Sequence, residues 1–204
     1  STLPGSPAFR AGLKPGDEIV EVDAKPTKGL TQAELTERLT GPSGRPVVLG
    51  IVRAGSMTTE HVTVVREIVQ IPTVVGQLRN ADQTWNYMLD DANKIGYLRV
   101  THFSKNTPDE LRLAMDTLIA ANVKGLVLDL RSNPGGLLTA AIEISDMFLE
   151  SGKIVSIKGR AVPERVWQAK HGLTFPDLPI AVLVNRYSAS ASEVLSAALQ
   201  DNDR

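Results

Sequence analysis

The 204-residue sequence contains no cysteine. That excludes disulfides, thiolate nucleophiles and cysteine-held metal centres together, while leaving the compartment open. Aromatic residues are scarce at 4%. Trp85 and Trp167 stand too far apart in the chain to suggest a stacking platform for single-stranded nucleic acid. Charge of one sign is lacking as well: 22 Lys and Arg face 23 Asp and Glu, a net charge of −1. No strong positive field is built for backbone-driven nucleic-acid binding. No apolar run approaches the roughly 18 residues of a membrane-spanning helix. The opening Ser1–Gly5 is not a charged segment followed by an apolar one, so it is no signal peptide. The chain starts without Met and stops on Asp201–Arg204 directly after a helical pattern, which reads as a piece excised from something longer.

What is present is an ordinary globular composition, 42% apolar and 22% charged with 16 Gly and 12 Pro. Its rhythm changes near residue 67. In residues 1–67, Ser6–Gly12 has the Pro-first, Gly-last shape of a short helix. Pro15-Gly16-Asp17 turns into Glu18–Val22, which alternates as a half-buried strand. Thr31 and Glu34 have capping-box spacing, opening a helix with Leu35 and Leu39 on its apolar face. Pro46–Arg53 and Thr59–Val65 read as a hairpin around Ala54-Gly55-Ser56. About three strands are few for a domain of this size, so further strands are expected upstream of Ser1 or from elsewhere in the chain.

Residues 68–204 alternate strands and helices. Strands are predicted at Ile95–Val100, Gly125–Leu130, Lys153–Lys158 and Ile180–Val184. Helices are predicted at 107–121, with Thr107 as the cap, at 138–149 and at 190–200. Helical crossovers between strands indicate a largely parallel sheet, whose ligand sites lie beyond the carboxyl ends of the strands. Two such ends are marked: Arg131–Gly136 after Leu130, and the Ser/Ala run after Val184.

Ser188-Ala189-Ser190-Ala191-Ser192-Glu193 is the strongest chemical signal. A hydroxyl at a helix N-terminus faces unpaired N–H groups and the positive end of the dipole, which suits an acyl-transfer nucleophile. The same run serves as a plain helix cap followed by small residues, and that use is the commoner one. Gly135-Gly136 could expose N–H groups to an oxyanion or simply make a sharp turn. The absence of a following Lys-Ser or Lys-Thr pair excludes a phosphate loop. His61, His102 and His171 show no metal spacing. His61 reads as a surface residue, and local context places no histidine beside Ser190. Lys105, Lys153 and Lys170 look like solvated charges rather than buried bases. Asp129, at the end of a buried strand, fits a structural role better than a catalytic one, accepting local N–H groups or pairing with Arg131.

These residues carry a resemblance. Gly5–Ala8 and Ala11–Ile19 match the turn–helix–turn–strand region of a PDZ domain. Arg66-Glu67 with Ile71-Pro72 resembles a PDZ-to-protease join, and Gly96–Phe103, Gly125–Leu137 and Val184–Gln200 follow in order. Together they resemble the carboxyl-terminal processing, or tail-specific, proteases, which are serine endopeptidases. The resemblance implies an α/β fold: a partial PDZ domain over 1–67, its N-terminal strands absent, then a crotonase/Clp-protease-like core over 68–204. It implies Ser190 as nucleophile and an oxyanion hole from Ala191 and from Gly135 or Gly136. The general base would be a lysine, aided by a glutamine one helical turn later, in a segment beyond Arg204. No cofactor or metal is called for. Expected partners are unfolded or C-terminal polypeptide segments and an activating adaptor, in the bacterial periplasm or envelope or in the plastid lumen. Arg186-Tyr187 departs from the pattern, standing where many members have Gly, and is expected to alter the loop approaching the site. A silent binding or scaffold protein that keeps the fold is the alternative, and a crotonase-like acyl-group enzyme a third.

Overall fold

The computed structural model describes residues 2–160, 162–170, 175 and 178–204. The chain forms two compact units, Ser1–Ile71 and Pro72–Arg204. The division falls a little beyond residue 67 because the connecting segment stays with the first unit: Glu67 pairs with Arg10, and Val69 and Ile71 border that unit's apolar cavity.

In the first unit Ser6 caps α1 (Pro7–Arg10), its hydroxyl accepting the Phe9 N–H. β1 (Glu18–Val22), β2 (Lys25–Pro26), β3 (Pro46–Val52) and β4 (Thr59–Val65) form an antiparallel sheet in the order β2-β1-β3-β4. α2 (Gln32–Leu39) starts on the expected capping box: Thr31 Oγ1 accepts the Glu34 N–H, and the Glu34 carboxylate accepts the Thr31 N–H. Its carboxyl end is closed by Arg66, whose guanidinium donates to the carbonyls of Arg38 and Leu39. Leu13, Val22, Val47, Leu49, Ile51 and Val64 make the core. Leu35 and Leu39, on the apolar face of α2, pack against it but are only half-buried, and no residue of α2 is buried. An apolar cavity of about 620 Å³ lies beside this helix, bordered by Thr36 and Leu39 of α2 and by Leu13, Ile19, Val47, Leu49 and Val64.

The second unit is built on a sheet ordered β13-β10-β9-β5, with β8 also on β9. β9 (Ile95–Val100), β10 (Gly125–Asp129) and β13 (Ile180–Leu183) run parallel, whereas β5 (Val74–Val75) and β8 (Met88–Asp90) join antiparallel. Between those two lies a small hairpin of β6 (Leu78–Arg79) and β7 (Trp85–Asn86). α3 (Thr107–Ala120) follows β9, α4 (Leu138–Phe148) follows β10 and α5 (Ala191–Asp201) follows β13. Leu98, Val100, Leu111, Met115, Leu118, Leu126, Leu128, Ile144, Phe148, Leu195 and Leu199 are buried between sheet and helices. Gly96 lets α3 lie close on β9, since a Cβ there would sit 2.7 Å from Leu118 Cδ1. Among the described residues no helix is long and apolar enough to cross a membrane.

Three expectations are corrected. β11 (Lys153–Gly159) pairs only with β12 (Val162–Gln168) in a separate antiparallel ribbon and is not a member of the parallel sheet. Thr107 does not cap α3: its hydroxyl accepts the Ser104 N–H, outside the helix. The N-terminus of α3 is tied instead to β5, where the Glu110 carboxylate accepts the N–H groups of Thr73 and Val74. Finally, β13 reads as apolar as β10 but lies at the sheet's edge, so its side chains are half-buried at most and Val184 beyond it is exposed.

Candidate active site

The carboxyl ends of β9, β10 and β13 lie together because the three strands are parallel and adjacent. Beyond β10 the chain makes the loop 131–137, and beyond β13 a turn leads into α5. Backbone polar groups in such connections must find partners locally. Here side chains supply most of them.

The key is Asn133, wholly buried. Its Nδ2 donates to the Val100 carbonyl at 2.8 Å, reaching the end of β9, and its Oδ1 accepts the Gly135 N–H at 2.8 Å. Its backbone carbonyl accepts the Ala189 N–H at 3.1 Å and the Ser192 hydroxyl at 3.0 Å. One residue thus joins the strand end, the glycine loop and the N-terminus of α5. Asn185 makes a second tie, its Oδ1 accepting the N–H groups of Ser132 and Tyr187.

The three serines of the run have different fates. Ser188 Oγ donates to the Leu130 carbonyl at 2.8 Å and accepts the Asn185 N–H at 2.9 Å. Ser192 is wholly buried, its hydroxyl spent on Asn133. Ser190 is exposed. It precedes α5 with φ 55° and ψ −113°, a conformation L-residues rarely adopt, and its N–H is held by the Glu193 carboxylate at 2.6 Å. The sharp turn lifts this residue out of the surface between strand and helix, as a nucleophile elbow does.

The glycine loop lies directly against it. A Cβ on Gly135 would sit 2.8 Å from Ser190 Cβ and 2.9 Å from the Ala191 nitrogen, so only glycine admits this approach. Gly136, at φ 140°, passes so close to Phe103 that a Cβ would lie 2.1 Å from its carbonyl oxygen. The strand leaving β9 fixes that position, Phe103 N–H donating to the Gly135 carbonyl and Leu137 N–H to the Phe103 carbonyl.

The two glycines of the pair are not equivalent. The Gly135 N–H is buried and already given to Asn133. Gly136 is exposed, and its N–H has no acceptor among the described residues. The Ala191 N–H, at the first position of α5, likewise has none.

Asp129 is a structural residue. Its buried carboxylate accepts from Arg131 N and Nε at 2.9 Å, Arg131 Nη2 at 2.7 Å and Tyr97 Oη at 2.6 Å. Burial pulls its pKa up, but the hydrogen bonds from Arg131 and Tyr97 outweigh it and hold the value at about 2. With its lone pairs occupied it cannot take a proton from a nucleophile near neutral pH.

Among the other candidates, His61 is exposed in the first unit and contacts Glu21 at 3.2 Å. His102 is exposed next to Phe103, and its ring makes no hydrogen bond among the described residues. His171 lies outside the described residues. Lys105, Lys153 and Lys170 are all exposed. No cluster of three metal-ligating side chains occurs among the described residues. Sequence reasoning missed Asn133. The signal available was a polar residue sandwiched between a buried strand and a Pro-Gly-Gly turn, where an unpaired backbone N–H needs an acceptor.

The sequence matches the profile "Peptidase family S41" over residues 94–204 and "PDZ domain" over residues 2–53. It is 37% identical over 202 residues to a carboxyl-terminal-processing protease of Synechocystis sp., covering 99% of this chain and 45% of that one. With the chloroplastic carboxyl-terminal-processing peptidase 2 of Arabidopsis thaliana it shares 39% over 205 residues, 100% of this chain and 39% of that protein. Among solved structures, the photosystem II D1 C-terminal processing protease aligns with a TM-score of 0.52 and 32% identity, over 100% of this chain and 53% of that chain. The chain spans less than half the length of these two curated relatives. With a peptidase match over more than half its residues and a PDZ match ahead of it, this chain belongs to peptidase family S41, the carboxyl-terminal-processing serine proteases.

Proposed function

We propose that the protein carrying this chain is a serine endopeptidase that cleaves polypeptides at or near their C-termini, with Ser190 as its nucleophile. In this reading a base takes the Ser190 hydroxyl proton while Oγ bonds to the peptide carbonyl carbon. The N–H groups of Ala191 and Gly136 then donate to the oxyanion that develops. The amine leaves with the proton, and water hydrolyses the acyl-enzyme. The base is a lysine in a segment beyond Arg204. Gly135 belongs to the positioning of the loop, its own N–H being committed to Asn133. A crotonase/Clp-type relationship of the core goes with this chemistry, since paired backbone donors at a parallel-sheet edge are its common device. Unfolded or C-terminal segments are the substrates, with an activating adaptor as a further partner, in the bacterial envelope or a plastid lumen.

One observation supports the reading: of three neighbouring serines, only Ser190 is exposed, in strained backbone directly before the uncommitted Ala191 N–H and against the glycine loop that carries the uncommitted Gly136 N–H. A fluorophosphonate probe applied to the complete protein tests it. Labelling should vanish in Ser190→Ala and survive in Ser188→Ala and Ser192→Ala. Labelling that persists in Ser190→Ala rejects this nucleophile, and a complete protein that takes no label rejects the peptidase reading and leaves the scaffold one.

A further inference from the structure

The turn that delivers Ser190 carries a feature the chemistry above does not use. Asn185–Ser188 is a closed β-turn, Ser188 N–H donating to the Asn185 carbonyl at 2.9 Å. Its stem is fastened to the core through Ser188 Oγ and Leu130, and to the glycine loop through Asn185 and Ser132. At its tip stand Arg186 and Tyr187, both exposed. The Arg186 guanidinium lies over the Tyr187 ring, 4.6 Å from its centroid, and Nη2 donates to Tyr187 Oη. Stacking and hydrogen bond together restrict a side chain that would otherwise sample many rotamers.

Arg131 is bound to Asp129, and the Glu193 carboxylate holds the Ser190 N–H. Arg186 has no carboxylate partner among the described residues. Consecutive Cα atoms are about 3.8 Å apart, so Arg186 lies at most about 15 Å from Ser190 along the chain. An extended peptide covers that span in roughly four or five residues. The guanidinium's two-pronged donor edge matches a carboxylate.

Resting on the peptidase reading, we propose that Arg186, oriented by Tyr187, is a specificity-determining residue that binds a carboxylate of the substrate within a few residues of the scissile bond. The carboxylate is either the substrate's own C-terminus or an acidic side chain, and both present the same two oxygens. Tyr187 is a positioning residue: it touches no substrate and narrows the range of guanidinium orientations. The pair being solvated, its effect is modest and falls with salt.

The test is kcat/KM of the complete protein on three peptides of one neutral sequence: free C-terminus, amidated C-terminus, and amidated with one Glu near the cleaved bond. Wild type should prefer at least one carboxylate-bearing peptide over the amidated neutral one by roughly three- to tenfold at low salt. Which peptide wins identifies the carboxylate. The preference should collapse in Arg186→Gln, survive in Arg186→Lys in reduced form, shrink in Tyr187→Ala, and fade by several hundred millimolar salt. Equal cleavage of all three peptides with Ser190 labelling intact overturns this assignment alone, as does a preference that persists in Arg186→Gln. Loss of all cleavage together with loss of labelling overturns it along with the peptidase reading.

Discussion

Around Ser190 the buried polar residues Asn133 and Ser192 hold fixed partners, and two glycines lie so close to other backbone that neither site has room for a Cβ. The face of the first unit under α2 is the opposite. It has apolar side chains around a cavity of about 620 Å³ and a helix with no buried residue. The two regions show two ways of making a surface that something else can meet. At the strand ends, position is set by directional bonds and tight steric limits, so a small displacement should be felt as lost chemistry. Under α2, the surface is set by non-directional burial, so small changes should be felt weakly and only as stability.

The sharpest way to break this contrast is to add one carbon to the glycine loop. Gly136→Ala would place a Cβ 2.1 Å from the Phe103 carbonyl oxygen, on a backbone at φ 140° where side chains are strained. Either the loop or the strand must move, and the proposed Gly136 donor moves with it. Losing one oxyanion donor typically costs about 100-fold or more in rate. The fluorophosphonate labelling rate should fall by that order. A rate within threefold of wild type would show that the loop is softer than its contacts imply.

Asn133→Ala comes next. It leaves the Val100 carbonyl and the Gly135 N–H without their partner in a buried setting, each an expense of about 1–3 kcal/mol. Denaturant unfolding of the second unit should register about 2–4 kcal/mol, and labelling should fall with it. Asn133→Asp separates the two effects, since a carboxylate still accepts from Gly135 but cannot donate to Val100.

Much of this was legible before the structure. The helices α3, α4 and α5 and the strands β9 and β10 follow from long periodic or continuously apolar segments, and Ser190 stood out because a small-residue run followed a buried-strand pattern. β5 to β8 were not legible, because two or three residues contain no period to read. β12, with the sequence VPERVWQ, hides behind an early proline and clustered charge, so the ribbon it forms with β11 was missed. The choice between Gly135 and Gly136 lay out of reach for a different reason. It depends on where the Asn133 side chain turns, and that is decided by the end of a strand distant in sequence, β9. Ser188 and Ser192 were likewise indistinguishable from Ser190 until Leu130 and Asn133 claimed their hydroxyls.

A smaller effect separates polar fixation from chemistry within the second unit. The Asp129 carboxyl, at about 2, lies below its ordinary 3.8. Above about pH 5 the group is ionised whether the chain is folded or not, and its contribution is complete. As pH falls towards 2 the unfolded chain takes up the proton first, and the contribution is lost through the folded value. The shift corresponds to about 2 kcal/mol. Stability of wild type should therefore drop more steeply than that of Asp129→Asn between about pH 5 and 2. Parallel pH profiles for the two proteins would mean that the Arg131 and Tyr97 bonds do not select the ionised form.

The least effect is expected where the first unit is open. Leu49 is 3% exposed and central in its core, so Leu49→Ala should cost about 2–4 kcal/mol by transfer and cavity terms together. Leu39 differs only in place. Both border the cavity, but Leu39 is half-buried at the last position of α2, whereas Leu49 lies in β3 and is almost wholly buried. Truncating Leu39 enlarges a space that solvent reaches and creates no new void in close-packed surroundings, so only part of the transfer term is forfeited. Helix propensity scarcely enters, because alanine suits a last turn as well as leucine does. Leu39→Ala should therefore cost about 1 kcal/mol or less by urea midpoint. A loss equal to that of Leu49→Ala would mean that α2 closes over the cavity in solution, and the first unit would then be as tightly determined as the strand ends around Ser190.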